Sequence, residues 1–360
     1  MSQSTILPPR YQGLSAARAW RPDPARPRDR FTLSVGERAG ELTVIGHLSA
    51  RPDVELYQVW STNHWCALTG KVGVPGSFVP LTLPDGMARE VEVLEDLRHP
   101  NIVRLFGSGF TGGRPFLLLE YLAGPSLFEV LESLPKRRLL VPDAVRAAMH
   151  IGSAVHYLHR CGFLYRDLKP ANILLREGVP VLVDFDVVER LERAATPARR
   201  LGTGPYMAPE QVHLEALSPA TDVYGLGALL YELLTGRWPT ETPLEEDEDL
   251  WDGDDDSGHE GIASESGRTA APEHADDIPD DQLERYFPQI SRDPLPLRAH
   301  TRRISAELEE IVLRCLRRDP AERFQTVSGL LAALAPLLKG NHRLWPLAAP
   351  VERRTDTESR

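Results

Sequence analysis

Cysteine is scarce in this sequence, and its spacing excludes two kinds of scaffold. The 360 residues contain three cysteines, Cys66, Cys161 and Cys315, and no two of them form a C-x-x-C pair. Such spacing indicates neither a disulfide framework nor a zinc site. We therefore expect a reduced, cytoplasmic compartment.

Long apolar runs are also missing. No stretch of about 18 consecutive apolar residues occurs. The first 20 residues, MSQSTILPPRYQGLSAARAW, lack the apolar core of a signal peptide. We expect a soluble chain without a membrane span. The 42% of hydrophobic residues suffices for a two-lobed domain with flexible additions.

Basic residues are nearly absent from residues 241–282, where 17 Asp and Glu stand against the single Arg268. This segment alone carries more negative charge than the net −11 of the whole chain, so the acidity belongs to an insert and not to the folded body. Its low apolar content predicts a disordered insert. It is either a solvated loop without function or a docking site for a basic partner. We expect no binding to nucleic acid.

Two further segments have the composition of flexible tails. Residues 1–40 include the Pro/Arg-rich run RPDPARPRDR, and residues 339–360 include VERRTDTESR. Such compositions are typical of unfolded segments. The folded domain is therefore predicted to span residues 41–338.

The pattern between the tails changes once, which predicts two lobes. Residues 41–120 carry short apolar clusters separated by turn residues, as a small antiparallel sheet requires: ELTVIGHL, VELYQVW, HWCALTGKV, IVRLFGSGF and PFLLLEYL. Residues 125–338 are predicted to be mainly helical, with helices in VPDAVRAAMHIGSAVHYLHRCG and at 221–236, 305–317 and 325–338. The fold class is therefore α+β.

One helix interrupts the clusters of the first lobe, within GMAREVEVLEDLRHP. Its apolar residues recur at spacings of three, which predicts a buried stripe of Ala88, Val91, Leu94 and Leu97. Pro100 is expected to stop the helix.

Five motifs follow one another in a fixed order in the second lobe. They are YRDLKPAN at 165–172, DFD at 184–186, GTGPYMAPE at 202–210, TDVYGLGALLYELLTG at 221–236 and CLRRDPAERF at 315–324. Together they resemble the eukaryotic-like (Hanks-type) Ser/Thr protein kinases of bacteria, over about residues 41–338. The resemblance implies a two-lobed protein-kinase-like fold, with ATP and Mg²⁺ as cofactors and a protein substrate.

The resemblance assigns roles to four polar residues. Asp167 matches the aspartate that orients the substrate hydroxyl and accepts its proton, and Lys169 matches the lysine that contacts the transferred phosphate. Asn172 and Asp184 match the two ligands of Mg²⁺, which prefers hard oxygen atoms. These roles fit phosphoryl transfer, a reaction that needs positioning more than covalent chemistry.

The segment from Asp184 to Glu210 matches the activation segment of the family. Thr203 matches the threonine that bridges the catalytic aspartate and lysine in Ser/Thr-specific members. Arg166 implies regulation by a phosphate on this segment. Thr196 is the only other hydroxyl residue between Asp184 and Thr203, so it is the candidate autophosphorylation site.

Three residues of the large lobe match structural positions of the family. Glu210 and Arg323 match a buried ion pair. Asp222 matches the aspartate on a central helix that holds the catalytic loop through backbone amides.

The small lobe departs from the family pattern at the loop that covers the phosphates. The family has G-x-G-x-x-G there, because glycine lets backbone amides approach phosphate closely. This sequence has IGHLSARPDVELYQV, with Gly46 alone and Pro52 in the turn. We expect weakened nucleotide binding.

Two positions compete for the lysine that contacts the phosphates in the family. Hydrophobicity places Thr69 there, which would mean that the lysine is lost. Spacing favours Lys71, which lies 19 residues before Glu90 and 15 after Leu56. We prefer Lys71 paired with Glu90, which falls where the family has its helix glutamate.

The resemblance also locates the adenine site. In FLLLEYLAGPSL, Leu119 matches the gatekeeper, and Glu120 and Leu122 match the residues that offer backbone groups to the purine. Leu174 matches the residue beneath the ring. Asp186 replaces the usual glycine after Asp184 and Phe185, and the sequence leaves its effect open.

Three functions remain at this point. The leading one is a Ser/Thr protein kinase that uses MgATP. The second is a pseudokinase that acts as a binding module, although the presence of Asp167, Lys169, Asn172 and Asp184 argues against it. The third is a small-molecule phosphotransferase, which the peptide platform expected of GTGPYMAPE disfavours.

Overall fold

A six-stranded antiparallel sheet forms the small lobe. The computed structural model describes residues 31–79, 81–195, 197–240 and 278–338. In the first of these ranges and the start of the second, the strands are β1 (Arg38–Ala39), β2 (Leu42–Ala50), β3 (Val54–Ser61), β4 (Cys66–Gly73), β5 (Leu105–Thr111) and β6 (Arg114–Glu120). Their order in the sheet is β1-β2-β3-β4-β6-β5.

Alternation of side chains explains why β3 forms and how it packs. Glu55, Tyr57 and Val59 are buried, whereas Trp60 on the opposite face is exposed. Glu55 is a charged residue on the buried face, and it accepts hydrogen bonds from Tyr57 (2.6 Å) and Arg114 (2.9 Å). These donors make burial of its carboxylate tolerable.

Residues 31–40 belong to this lobe, although composition placed them in the N-terminal tail. Phe31 stacks on His47 with ring centroids 4.2 Å apart. The backbone N–H of Thr32 donates to Glu55 Oε1 at 2.8 Å, and its hydroxyl donates to Oε2 at 2.5 Å. The segment is ordered because it completes the hydrogen bonds of a buried carboxylate, which composition does not reveal.

Helix α1 (Asp85–Leu94) lies against the sheet with a buried face that differs from the predicted one. Its buried residues are Met87, Glu90, Val93 and Leu94. The predicted stripe is wrong at Ala88, which is exposed, and at Val91, which is only half-buried. The helix is rotated so that Glu90, with 0% exposure, points inward. Apolar periodicity cannot predict this, because a charged residue sets the orientation.

The large lobe is mainly helical. Its helices are α2 (Leu127–Glu132), α3 (Val141–Arg160), α4 (Pro209–Val212), α5 (Pro219–Thr235), α6 (Leu283–Tyr286), α7 (Leu297–His300), α8 (Ala306–Cys315) and α9 (Val327–Leu334). Four short strands accompany them: β7 (Phe163–Leu164) pairs with β10 (Glu189–Arg190), and β8 (Ile173–Arg176) pairs with β9 (Val179–Leu182). None of the helices among the described residues is long and apolar enough to cross a membrane.

Helix α5 is the centre of this lobe. All but its first residue are buried, and the helix contacts α3, α8 and α9. It ends where Gly236 adopts a left-handed φ of 77°, and a Cβ there would lie 2.4 Å from the carbonyl oxygen of Lys136. Glycine is therefore required at this helix end by both conformation and space.

Most of the predicted acidic insert, residues 241–277, lies outside the described residues, as do most of the N-terminal tail and residues 339–360. The last five residues of the predicted insert are described. Among them Ile278 is 3% exposed and packs with Met207, Val212 and Phe287. The folded domain therefore resumes at Ile278, a few residues before the predicted boundary at 282.

Candidate active site

Asp167 lies at the centre of a hydrogen-bonded group in the loop between β7 and β8. Thr203 Oγ1 donates to its Oδ1 at 2.6 Å, and Asn172 Nδ2 donates to its Oδ2 at 2.7 Å. Lys169 Nζ lies 2.8 Å from the same Oδ2 and 2.7 Å from Thr203 Oγ1. The carboxylate is thus fixed in orientation by three side chains, while its residue keeps 7% exposure.

The backbone of this loop is held from beneath by Asp222 of α5. Its carboxylate accepts from the N–H groups of Tyr165 (2.8 Å) and Arg166 (2.7 Å). His159 Nε2 lies 2.7 Å from Asp222 Oδ2, a contact that the sequence did not suggest. Arg166 has a φ of 73°, and this left-handed backbone next to Asp167 is kept in place by the bonds to Asp222.

Lys71 of β4 and Glu90 of α1 form a buried ion pair. Lys71 Nζ lies 2.7 Å from Glu90 Oε2 and 3.0 Å from Asp184 Oδ1. The side chain of Lys71 is 8% exposed and that of Glu90 is 0% exposed. The structure therefore places Lys71 against Glu90, whereas Thr69 pairs with Gln58 and Leu119 along the sheet.

The electrostatics of this group favour its ionised form. Burial works to lower the pKa of Lys71, but Asp184 and Glu90 outweigh it and raise the pKa above its usual value. Burial likewise works to raise the pKa of Asp184, but Lys71 and Arg51 bring it down to about 2. Asp184 is therefore an anion at neutral pH, as a ligand of Mg²⁺ must be.

Phe185 and Tyr165 fix the start of the activation segment. Phe185 has 0% exposure, and its ring meets that of Tyr165 edge to face at 5.3 Å. The Tyr165 hydroxyl donates to the Val183 carbonyl at 2.6 Å, and the Phe185 N–H lies 3.4 Å from Glu90 Oε1. Phe185 thus points into the core, and the preceding residue, Asp184, points toward Lys71.

The two carboxylates predicted to act together share one cleft. The Val183 N–H donates to the Asn172 carbonyl at 3.0 Å, which joins the segment of Asp184 to the loop of Asp167. Lys169, which contacts Asp167, also lies close enough to lower the pKa of Asp184. The structure thus brings together all four polar residues that the sequence singled out.

Asp186 lies beside this group as a further acidic side chain. Burial and the charge of Asp184 raise its pKa to about 6. Its carbonyl accepts from Arg89 of α1 at 3.0 Å, and a Cβ on Gly86 would lie 3.0 Å from its Cβ. The residue after Phe185 is therefore packed against α1.

The hairpin between β2 and β3 covers the same cleft. Its turn spans residues 51–53, with Pro52 in the turn as predicted. Gly46 lies inside β2, where it pairs with Gln58 next to a bulge, five residues before the turn. At the turn itself, Arg51 Nη2 lies 3.4 Å from Asp184 Oδ2, a contact that the sequence did not reveal.

The segment after β6 links the two lobes. Leu119 and Leu122 are buried, and Leu174 of β8 is half-buried beside them. The Glu120 N–H donates to the Arg104 carbonyl at 2.8 Å, so this N–H is not available to a purine. The Glu120 carboxylate accepts two bonds from Arg176, at 2.8 and 2.7 Å. This bidentate pair holds the linking segment to β8.

Two predicted regulatory residues have different outcomes. Arg166 is 6% exposed and lies 3.7 Å from Glu189, and its Nε has no hydrogen-bond partner among the described residues. Burial lowers the pKa of this guanidinium. Thr196 lies outside the described residues.

Glu210 and Arg323 form a bidentate ion pair in the interior of the large lobe. The two bonds measure 2.7 and 2.8 Å, and both side chains are at most 1% exposed. Arg323 also donates to three backbone carbonyls, of Arg317, Arg318 and Ala220. The pair joins the end of the activation segment to the segment before α9.

Comparison with known proteins identifies protein kinases as the relatives of this chain. The protein kinase domain family matches residues 80–333. Serine/threonine-protein kinase PknB of Mycobacterium tuberculosis is 27% identical over 266 residues, which cover 70% of this chain and 36% of PknB. "Probable serine/threonine-protein kinase SCO3848" of Streptomyces coelicolor is 29% identical over a region that covers 70% of this chain and 33% of the Streptomyces protein. Human serine/threonine-protein kinase Sgk2 is 41% identical over 155 residues, 42% of each chain.

These matches confirm the predicted family and the two-lobed kinase fold. The chain spans about a third of the length of the bacterial relatives it matches. The family match begins after β4, so Lys71 and the hairpin lie before it. Because the family model matches residues 80–333 and the geometry above agrees with it, the chain belongs to the protein kinase domain family. The Ser/Thr members of this family use ATP with Mg²⁺.

Proposed function

We propose that this chain transfers the γ-phosphate of ATP to serine or threonine hydroxyls of a protein substrate. The observation that carries the proposal is the fixed carboxylate of Asp167. Asn172, Lys169 and Thr203 hold it at 2.6 to 2.8 Å in a cleft that also contains Asp184. Asp167 would orient the substrate hydroxyl and accept its proton as the hydroxyl oxygen attacks phosphorus.

The remaining residues fit the nucleotide and its metal. The Asp184 carboxylate and the Asn172 amide oxygen are the hard oxygen ligands that Mg²⁺ prefers. The metal would neutralise phosphate charge when bound. Lys71, oriented by Glu90 at 2.7 Å, offers a buried cation to the phosphates. Leu122 and Leu174 offer apolar surface to the purine, and the Glu120 carbonyl offers an acceptor.

The position of Thr203 supports the proposal that the phosphate is transferred to serine or threonine. Its hydroxyl bridges Asp167 Oδ1 and Lys169 Nζ, so the platform that receives the peptide is tied to the catalytic pair. The Glu210–Arg323 ion pair anchors the same segment to the large lobe. A phosphate on the activation segment, with Thr196 as its site, would find in Arg166 a guanidinium whose Nε has no partner within the described part of the chain.

We further propose a cytoplasmic location and a basic partner for the acidic insert. Cys66, Cys161 and Cys315 are free thiols, as a reducing compartment would keep them. A basic partner fits the charge of residues 241–277. If this holds, the full chain binds a lysine-rich peptide in a salt-dependent manner and a chain without residues 241–277 does not.

Labelled ATP tests the proposed activity. Wild type with Mg²⁺ should phosphorylate itself or a peptide library on serine and threonine. Asp167→Asn should reduce the rate by about 10²- to 10⁴-fold, because the carboxylate that accepts the proton is gone. Asp96→Asn, an exposed aspartate, serves as the matched control and should retain wild-type activity. Absence of incorporation in wild type and Asp167→Asn alike would favour a binding module without catalysis.

A further inference from the structure

Arg51 reaches from the small lobe to the metal-binding end of the cleft. Its guanidinium Nη2 lies 3.4 Å from Asp184 Oδ2, and the side chain is 56% exposed. The contact joins residues 133 positions apart in the sequence. At this distance and exposure it is a weak ion pair, which a better anionic partner can replace.

The electrostatic surroundings of Arg51 are those of a cation aimed at an anion site. Asp184 raises the pKa of Arg51 most, burial opposes this, and Asp186 and Asp167 add to the raise. The same guanidinium therefore interacts with three carboxylates of the cleft. Lys71 approaches Asp184 Oδ1, so two cations flank this carboxylate, one at each oxygen.

The turn has few backbone donors to offer a phosphate. Pro52 has no N–H. The Arg51 N–H donates to the Val54 carbonyl at 2.8 Å, and Ala50 is paired with Glu55 in the β2–β3 ladder. A glycine-rich loop binds phosphates through free backbone N–H groups, and residues 51 and 52 of this turn offer none. A guanidinium supplies five N–H donors in a planar fork that matches phosphate oxygens.

We propose that Arg51 binds the phosphate chain of ATP, with its side chain replacing the backbone amides of a glycine-rich loop. The inference rests on the proposed kinase function, because it assigns a further residue to the same nucleotide site. When nucleotide binds, Arg51 exchanges Asp184 for phosphate oxygens. This exchange leaves Asp184 Oδ2 available to Mg²⁺.

Nucleotide binding by calorimetry tests this assignment without reference to activity. The ligands are a non-hydrolysable ATP analogue, ADP and adenosine, each with Mg²⁺. Arg51→Ala should weaken binding of the ATP analogue by about tenfold or more, since it removes charge-assisted hydrogen bonds. It should leave adenosine binding unchanged. Arg51→Lys, which keeps the charge but loses the fork, should fall between wild type and Arg51→Ala.

Arg38→Ala is the matched control, because Arg38 is an exposed arginine of the same sheet, in β1. It should bind all three ligands as wild type does. If Arg51→Ala binds the ATP analogue as tightly as wild type, or more tightly, Arg51 is no phosphate ligand and the kinase function stands. If wild type binds neither the ATP analogue nor ADP, the proposed function and this assignment fail together.

Discussion

The large lobe and the small lobe approach the proposed nucleotide site with different kinds of groups. In the large lobe, Asp167 is held by three side chains within 2.8 Å, and its loop is held by Asp222 through backbone amides. In the small lobe, the covering hairpin has Pro52 in its turn and reaches the site through the long, exposed side chain of Arg51. The large lobe thus offers a hydrogen-bonded network, and the hairpin of the small lobe offers an exposed guanidinium.

This difference separates two tasks of phosphoryl transfer. Proton transfer and alignment of the hydroxyl depend on distances of a few tenths of an ångström, so they need a preorganised group such as Asp167. Charge neutralisation on the phosphates tolerates more variation in the donor, because several arrangements of cations give similar fields. The family match over residues 80–333 includes Asp167 and Asp184 but not the hairpin or Lys71.

The stability of the large lobe depends most on the Glu210–Arg323 ion pair. Arg323→Met should lower the free energy of unfolding by about 3 to 5 kcal/mol, because it leaves Glu210 buried without its partner. Urea unfolding measures this change. Arg318→Met removes an exposed pair with Asp293 and should cost about 1 kcal/mol or less. Equal, small losses in both variants would mean that this pair does not anchor the lobe.

The small lobe contributes one buried cation, and its removal is expected to have the next largest effect. Lys71→Met should reduce the rate of phosphate transfer by about 10²- to 10³-fold, since it removes a preorganised charge at the phosphates. Thr69→Ala is the control from the same strand and should keep most of the activity. Comparable activity of Lys71→Met and wild type would show that Lys71 is not the phosphate lysine.

The small lobe also has a polar network of its own around Glu55. Burial works to raise the pKa of Glu55, but the bonds from Thr32, Tyr57 and Arg114 outweigh it and lower the pKa. Glu55→Gln should therefore lower the free energy of unfolding by about 1 to 3 kcal/mol at neutral pH.

Because the folded-state pKa of Glu55 is lowered, the stability advantage of wild type should disappear as the pH falls below about 4.3. Thermal unfolding of both proteins across the acid range measures it. Glu95→Gln, at an exposed position of the same lobe, is the matched control and should change the free energy of unfolding by at most about 0.5 kcal/mol. A difference between wild type and Glu55→Gln that persists at low pH would contradict this origin.

The sequence signals for the catalytic loop of the large lobe are local, and the resemblance to the kinase family supplied the proposed roles. Asp167, Lys169 and Asn172 lie within six positions, so the spacing alone places them on one loop. The pairing of Lys71 with Glu90 followed from spacing as well, and the structure brings the two within 2.7 Å.

The features that the sequence missed depend on contacts between distant positions. Arg51 meets Asp184 across 133 residues, and Arg176 meets Glu120 across 56. The rotation of α1 follows from the buried pair of Glu90 with Lys71, which outweighs the apolar stripe. Thr32 donates to Glu55, 23 positions away, and so ties the start of the described chain to β3. In each case polar contacts between distant positions help to fix the local structure, and apolar periodicity does not predict them.

The central claim is that both lobes act on one Mg²⁺-bound nucleotide, and the dissociation constant of an ATP analogue tests it most directly. Measured with Mg²⁺ and with EDTA, wild type should bind the analogue at least about tenfold more tightly with the metal. Lys71→Met, from the small lobe, and Asp184→Asn, from the large lobe, should each weaken binding by a similar factor, and Asp184→Asn should also lose the dependence on Mg²⁺. Dissociation constants that stay the same with EDTA and in both variants would contradict the claim.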